Sequence, residues 1–292
     1  MNKQFNKGLL LTSLGSFWWG FIGVIYFKLI DFIGYIEVVI HRCIWTAATL
    51  IITTFLFSKW KIFFLTISEK TNLISLFFSG FLIFINWGVW IYAVATEKII
   101  DASFGYFIMP ILSVFLGYIF FKEKLNYKRI FSIILVIISI LILIFYNIKS
   151  LPWVGLIVGI SWAFYNLIRK KINVDTDIGL LIESFFILPF ALVAFYFVYK
   201  NGYNDFSFEN PGLSLFILLA GPMTVIPLFL YVRGVELSGL GPAGMIFYIT
   251  PSLQFLLGYF YYNEPFSITK LVSFIFIWIA VIIYLKDLYE TN

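Results

Sequence analysis

Apolar runs of about 20 residues, separated by short polar stretches, recur along the whole chain. Ten fall near 8–27, 35–57, 73–95, 101–121, 128–146, 153–170, 178–199, 213–232, 240–262 and 267–286. A helix needs about 20 apolar residues to cross the hydrocarbon of a bilayer, so each run is a predicted spanning helix, numbered span 1 to span 10. The longest polar connections are 58–72 and 200–212, and no interval holds a soluble domain. Lys3 and Lys7 before the first run mimic a signal peptide. That run lacks a small-x-small cleavage site, contains Trp18-Trp19 and ends at Lys28, so it is read as a retained span. The pattern predicts an all-α polytopic membrane protein of ten transmembrane helices.

One stretch repeats. Residues 110–123, PILSVFLGYIFFKE, align with 251–264, PSLQFLLGYFYYNE, with six of fourteen positions identical. Internal repeats fix architecture, and this one pairs span 4 with span 9. Trp18 and Trp162, Glu37 and Glu183, Tyr92 and Tyr231, and Glu97 and Glu236 are weaker echoes in the same sense. The chain thus divides into two five-span repeats, 1–150 and 151–292. Five is odd, so the second half enters the membrane from the opposite side. Inverted repeats of this kind place a substrate site near the bilayer midplane, between the halves.

Composition agrees. Hydrophobic residues make up 62% and charged residues 12%, against about 25% charged in soluble domains. The net charge of +5 is not a nucleic-acid signal, because the cations sit in short loops. With the N-terminus cytoplasmic, fourteen Lys and Arg fall on the cytoplasmic side and five outside, leaving Arg42 within span 2. This imbalance predicts both termini cytoplasmic, in an inner (plasma) membrane protein that is a monomer or weak homodimer. The lone Cys43 lies in an apolar run and reads as a packing residue.

Ionisable groups within the hydrocarbon are costly and call for a reason. Span 2 carries Glu37, His41 and Arg42. Glu37 and His41 are four apart and share a face. Arg42 points about 100° away from His41. A carboxylate–imidazole pair suits proton coupling, and Arg42 suits a carboxylate or phosphate on a solute; snorkelling and packing are the alternatives. Glu183 in span 7 is either an ion or proton site or the partner of an Arg such as Arg169. Spans 1, 3 and 6 carry Trp18-Trp19, Asn86-Trp87 and Trp162, Tyr165 and Asn166, which offer aromatic faces and amides to a solute, or serve as belts and interhelical contacts. Gly105, Gly117, Gly244 and Gly258 suit close helix packing. Pro110, Pro189, Pro227 and Pro251 are candidate kinks. Glu123 and Glu264 lie at span ends, where pairs with nearby Lys are expected.

No GxxxxGK[ST] loop is present, the only His has no Cys or second His beside it, and there is no GxSxG turn. No nucleotide, metal or other cofactor is therefore expected, and no catalytic constellation.

The chain resembles the RarD-type transporters of the EamA branch of the drug/metabolite transporter superfamily. The resemblance rests on Glu37…His41-Arg42…Trp45, Asn86-Trp87, Ala102–Ile108 followed by Pro110, Ala163-Phe164-Tyr165…Arg169-Lys170-Lys171-Ile172, Leu181-Ile182-Glu183 and Phe276-Ile277-Trp278. It implies ten helices, an inverted repeat and secondary transport of small organic molecules. Where the family pattern before the span 9 proline usually reads Gln-Tyr-Ile, this chain has Phe247-Tyr248-Ile249.

The expectation is a secondary or facilitative transporter of an amino acid, amine or drug-like amphiphile, working by alternating access in the lipid bilayer. Spans 1, 3, 4, 6, 8 and 9 would form its cavity. Trp18, Trp87, Tyr106, Tyr165 and Tyr248 are the expected aromatic lining, Asn86 and Asn166 the polar selectors, and Arg42 or His41 the charge contact reached from span 2. Glu37, His41 and Glu183 are the candidate coupling groups, with protons as the candidate coupling ion. A lipid or lipid-carrier flippase on the same frame is the alternative.

Overall fold

The computed structural model describes residues 3–30, 32–95, 99–147, 153–207, 209–260 and 268–291. Among these the secondary structure is helical throughout, with no strand. Eight helices are long and apolar enough to cross a membrane, and Gly105–Phe121 is a shorter apolar one. Span 6, Trp153–Lys171, ends in Arg169-Lys170-Lys171, which lowers its mean hydropathy. Phe55, Phe81, Phe145 and Ile282 are among many large apolar side chains left facing outward, the surface a lipid solvent calls for.

Backbone chemistry explains where spans depart from straight helices. Span 1 runs as Lys3–Phe17, a π-helical turn Trp18–Ile22, and Gly23–Leu29. Spans 8 and 9 are broken, into Pro211–Leu218 and Ala220–Ser238, and into Leu240–Phe247 and Ile249–Phe260. Each break lies three residues before a proline, at Leu219 before Pro222 and at Tyr248 before Pro251. A proline has no N–H for the carbonyl four residues back, so the ladder is interrupted there. Pro110, Pro189 and Pro227 instead lie inside continuous helices. The interval 58–72 is not a polar loop. It holds the short helix Trp60–Ser68, which buries Phe63 and Thr66 and stacks Phe63 edge-on against Phe185 of span 7.

The spans pair in a pattern that maps onto itself when each is exchanged with the one five further on. Span 1 packs on span 8 as span 6 packs on span 3, and span 4 packs on span 6 as span 9 packs on span 1. Spans 2 and 7, 4 and 9, and 5 and 10 pair with their own counterparts. This is the contact pattern of two intertwined five-span halves, and it brings the inner faces of spans 1, 2, 3, 4, 6, 7, 8 and 9 together.

Candidate functional site

The interior between the halves holds an aromatic group centred on Phe247. Its ring lies 5.3 Å from Tyr231, 5.7 Å from Tyr106, 6.2 Å from Trp19 and 6.5 Å from Trp162, centroid to centroid. Trp162 stacks in turn on Tyr165 and Tyr231. Spans 1, 4, 6, 8 and 9 each contribute a ring. The residue from span 1 is Trp19. Trp18 is half-buried, and its buried indole N–H has no hydrogen-bond partner among the described residues.

Beside this group lies Arg42. Its Nε donates to the Thr224 hydroxyl at 2.9 Å, and its guanidinium carbon stands 4.5 Å from the Trp87 ring centroid and 5.5 Å from that of Phe27. Tyr106 is within electrostatic reach. No described carboxylate comes within ion-pair distance of Arg42. Asn86, the neighbour of Trp87, donates its amide to the Val158 carbonyl at 2.9 Å and the Ser161 hydroxyl at 3.1 Å, which ties span 3 to span 6.

Two further sequence candidates are placed elsewhere. Tyr248 is fully buried, but in a separate cluster with Phe107, Phe274 and Ile277. Its hydroxyl donates to the Phe107 carbonyl at 2.8 Å. The break before Pro251 turns Phe247, not Tyr248, toward the central rings. Asn166 is buried and donates to Trp162 of its own helix; its carbonyl oxygen has no partner among the described residues.

The candidate coupling groups form two centres. At one end of the bundle Glu37 is buried, with Oε1 3.5 Å from His41 Nε2. The Trp45 indole donates to His41 Nδ1 at 3.1 Å. Glu37 also accepts the backbone N–H groups of Asp205 and Phe206 at 2.8–3.0 Å, so it is a structural clasp rather than a snorkelling group. Glu183 is buried nearer the opposite end. It accepts from Ser79 at 2.6 Å and from Tyr165 at 3.1 Å, with Arg169 NH1 at 3.5 Å. Arg169 is fully buried, although the charge count places it among loop cations. The common face of Tyr165 and Arg169, four residues apart, is the signal that finds it. These charges are enclosed by neighbouring spans and do not line a groove open to lipid.

Glu123 corrects another expectation. It accepts the N–H groups of Leu240 and Gly241 at 2.8 and 2.9 Å, capping span 9, and no Lys ion pair with it is formed among the described residues. Burial raises its carboxyl above the usual carboxylate range, and these two bonds oppose the rise. Glu264, Glu97 and the Ala102–Phe104 part of the resemblance lie outside the described side chains.

Helices throughout the described residues, a lipid-facing apolar surface and an enclosed aromatic and charged interior make this a multi-pass membrane protein in its architecture. The EamA-like transporter family profile matches residues 6–145 and 150–286, and the chain belongs to that family. It is 34% identical to the uncharacterised transporter YojE of Bacillus subtilis over 286 residues, 97% of this chain and 95% of the relative. It is also 34% identical to protein RarD of Escherichia coli over 291 residues, 99% and 97% of the two chains. A crystal structure of a protein only 11% identical superposes with a TM-score of 0.71 over 96% of this chain and 97% of the other, which shows the fold alone. The protein is thus a RarD-type transporter of a small-molecule substrate and not an enzyme.

Proposed function

We propose that the protein is a secondary transporter of small organic solutes that works by alternating access, the two five-span halves rocking about the aromatic interior. The solute carries an anionic group, as an amino acid or other organic carboxylate does, together with an apolar or planar body. The observation that carries this reading is Arg42. A cation within the hydrocarbon costs several kcal/mol or more unless it is paired. Here the guanidinium meets a hydroxyl and aromatic faces, with no described carboxylate in ion-pair range. An anion on the solute supplies the missing charge by a forked contact, and the rings around Phe247 receive its body. The excess of Lys and Arg on one side supports cytoplasmic termini in the inner membrane.

The test is uptake into proteoliposomes from a panel of radiolabelled aromatic and aliphatic carboxylates and amines. Saturable flux of at least one carboxylate is expected, lost in Arg42→Gln while the variant remains folded. Flux no greater than in empty liposomes for every member of the panel would sink the reading.

A further inference from the structure

Arg169 is a buried cation held between two carboxylates without fully bonding to either. Its NH1 lies 3.5 Å from Glu183 Oε1 and its NH2 3.5 Å from Glu236 Oε1. NH2 donates to the Thr176 carbonyl at 3.1 Å. Nε and NH1 of Arg169, and Oε1 of Glu236, have no hydrogen-bond partner among the described residues. Each unmade bond of a buried group costs about 1–3 kcal/mol. The guanidinium thus stands between Glu183 in span 7 and Glu236 in span 8, with unused donors. Gly179 leaves room for the guanidinium where it sits. A Cβ there would collide with the guanidinium.

The two acids are not equivalent. Glu236 has a second cation, Arg233 at 2.9 Å, and accepts from Thr176 at 2.7 Å. Glu183 has only neutral donors besides Arg169, the Ser79 and Tyr165 hydroxyls. Glu183 also faces inward. With Thr46, Trp87 and Ser184 it lines a cavity of about 10 Å³ between spans 2, 3, 7 and 8, room for roughly one water. The buried Thr46 hydroxyl has no partner among the described residues. Span 3 presents Ser79, span 6 presents Tyr165 and Arg169, and span 8 presents Glu236 with Arg233. Span 2 presents Thr46. Asp177, at the start of span 7, is paired with Lys59 at 2.7 Å.

We infer that Glu183 is the proton-binding site of the transport cycle, and that Arg169 is its exchangeable counter-ion. With Glu183 ionised, two cations face two carboxylates, Arg169 on Glu183 and Arg233 on Glu236. When Glu183 takes up one proton from water it becomes neutral, and Arg169 passes to Glu236. Spans 6 and 8 are then drawn together and spans 6 and 7 released, which changes how the second half closes on the interior. The inference rests on the transport reading above, but its test needs no solute.

The experiment uses the full chain in lipid nanodiscs, with the proton itself as ligand. Infrared difference spectra are taken between about pH 5 and pH 8. A protonated-carboxyl band that appears on acidification is expected, absent in Glu183→Gln and kept in Glu236→Gln. Removing the counter-ion in Arg169→Gln raises proton affinity by at least about tenfold, one pKa unit. Arg169→Lys, which keeps the charge, stays close to the parent and serves if the Gln variant does not fold. As a second readout, N-ethylmaleimide alkylation of the sole, buried Cys43 is compared with Glu183→Gln at matched pH. The parent's rate relative to the variant is expected to change about threefold or more across the Glu183 titration, as an all-or-none population shift allows. A band that persists in Glu183→Gln, the absence of any titrating carboxyl, or alkylation that follows the same pH course in both proteins overturns the inference and leaves the transport reading to the flux assay. An intact Glu183 titration with no flux of any panel solute counts against the transport reading instead.

Discussion

Gly105 of span 4 meets Gly159 of span 6 main chain to main chain. A Cβ on Gly105 would stand 2.7 Å from the Gly155 oxygen and 2.9 Å from the Gly159 nitrogen, and one on Gly159 3.0 Å from the Gly105 oxygen. The two halves of the molecule touch here through bare backbone, the close approach that small residues permit between membrane helices. Gly105→Ala has no flexible neighbour to yield and is expected to destabilise by about 1–3 kcal/mol. Thermal unfolding in detergent reads the loss. Gly88, whose Cβ would meet nothing within 4 Å, is the control, and Gly88→Ala should leave Tm unchanged or slightly higher.

Spans 5 and 10 are joined by Arg129 and Asp287, which pair at 2.8 Å with side chains only 7% and 2% exposed. Asn126 also donates to both Asp287 oxygens at 2.7 Å. Removing one member leaves a buried charge uncompensated, so Asp287→Ala should cost about 3–5 kcal/mol. The double variant Arg129→Met/Asp287→Leu should recover most of that in the same unfolding assay. A double variant as unstable as the single one would show that the pair contributes more than charge neutralisation.

Glu123 holds the first N–H groups of span 9, whose preceding residue Gly239 has φ of 103°. Losing such a cap typically costs about 0.5–2 kcal/mol. Glu123→Ala should show the full loss, and Glu123→Gln an intermediate one, because an amide keeps a single acceptor oxygen. Equal losses in the two variants would contradict the capping role.

Lys59 fastens the end of span 2 to the start of span 7 through Asp177 at 2.7 Å and Asp175 at 3.4 Å. Burial alone would lower its ammonium, but the Asp177 bond and charge outweigh it and raise the pKa above the ordinary value. The charged form is therefore favoured in the fold. The pair's contribution is complete below the unfolded ammonium value of about 10.4 and fades as pH rises through the folded one. The Tm difference between the parent and Lys59→Met should be flat from neutral to mildly alkaline pH and shrink above that value. Partial exposure keeps the difference small, about 1 kcal/mol or less.

Phe247 touches the rings of four other spans, so it shapes the space those rings offer. Phe247→Gln places an amide among Trp19, Tyr106, Trp162 and Tyr231. Uptake of apolar-bodied carboxylates is expected to fall about tenfold or more relative to polar ones, as a lost buried side chain of about 1.5–3 kcal/mol implies. An unchanged preference across the panel would remove Phe247 from the site.

The spans are legible because their apolar length alone marks them, and the Pro110/Pro251 echo pairs span 4 with span 9, which pack on each other. The facing of single residues is less so. The Trp18/Trp162 echo points to Trp18 as the ring from span 1, but the π turn at Trp18–Ile22 breaks the 3.6-residue register on which such a match depends. Tyr248 stands three residues before Pro251, and that proline withdraws the hydrogen bond that would keep Phe247 and Tyr248 in helical phase. Arg169, Lys170 and Lys171 read as one basic run, but the first of the three turns inward on the face of Tyr165 while Lys171 stays exposed.

Glu37 grips residues 205 and 206 by their amide nitrogens alone. A grip of that kind is blind to the side chains it holds. Phe206 also packs its ring on His41 and Trp45 of span 2, so of the two positions it is 205 that is free to drift in sequence while the docking persists. Proline, which has no nitrogen-bound hydrogen to offer, is the substitution the grip does not tolerate.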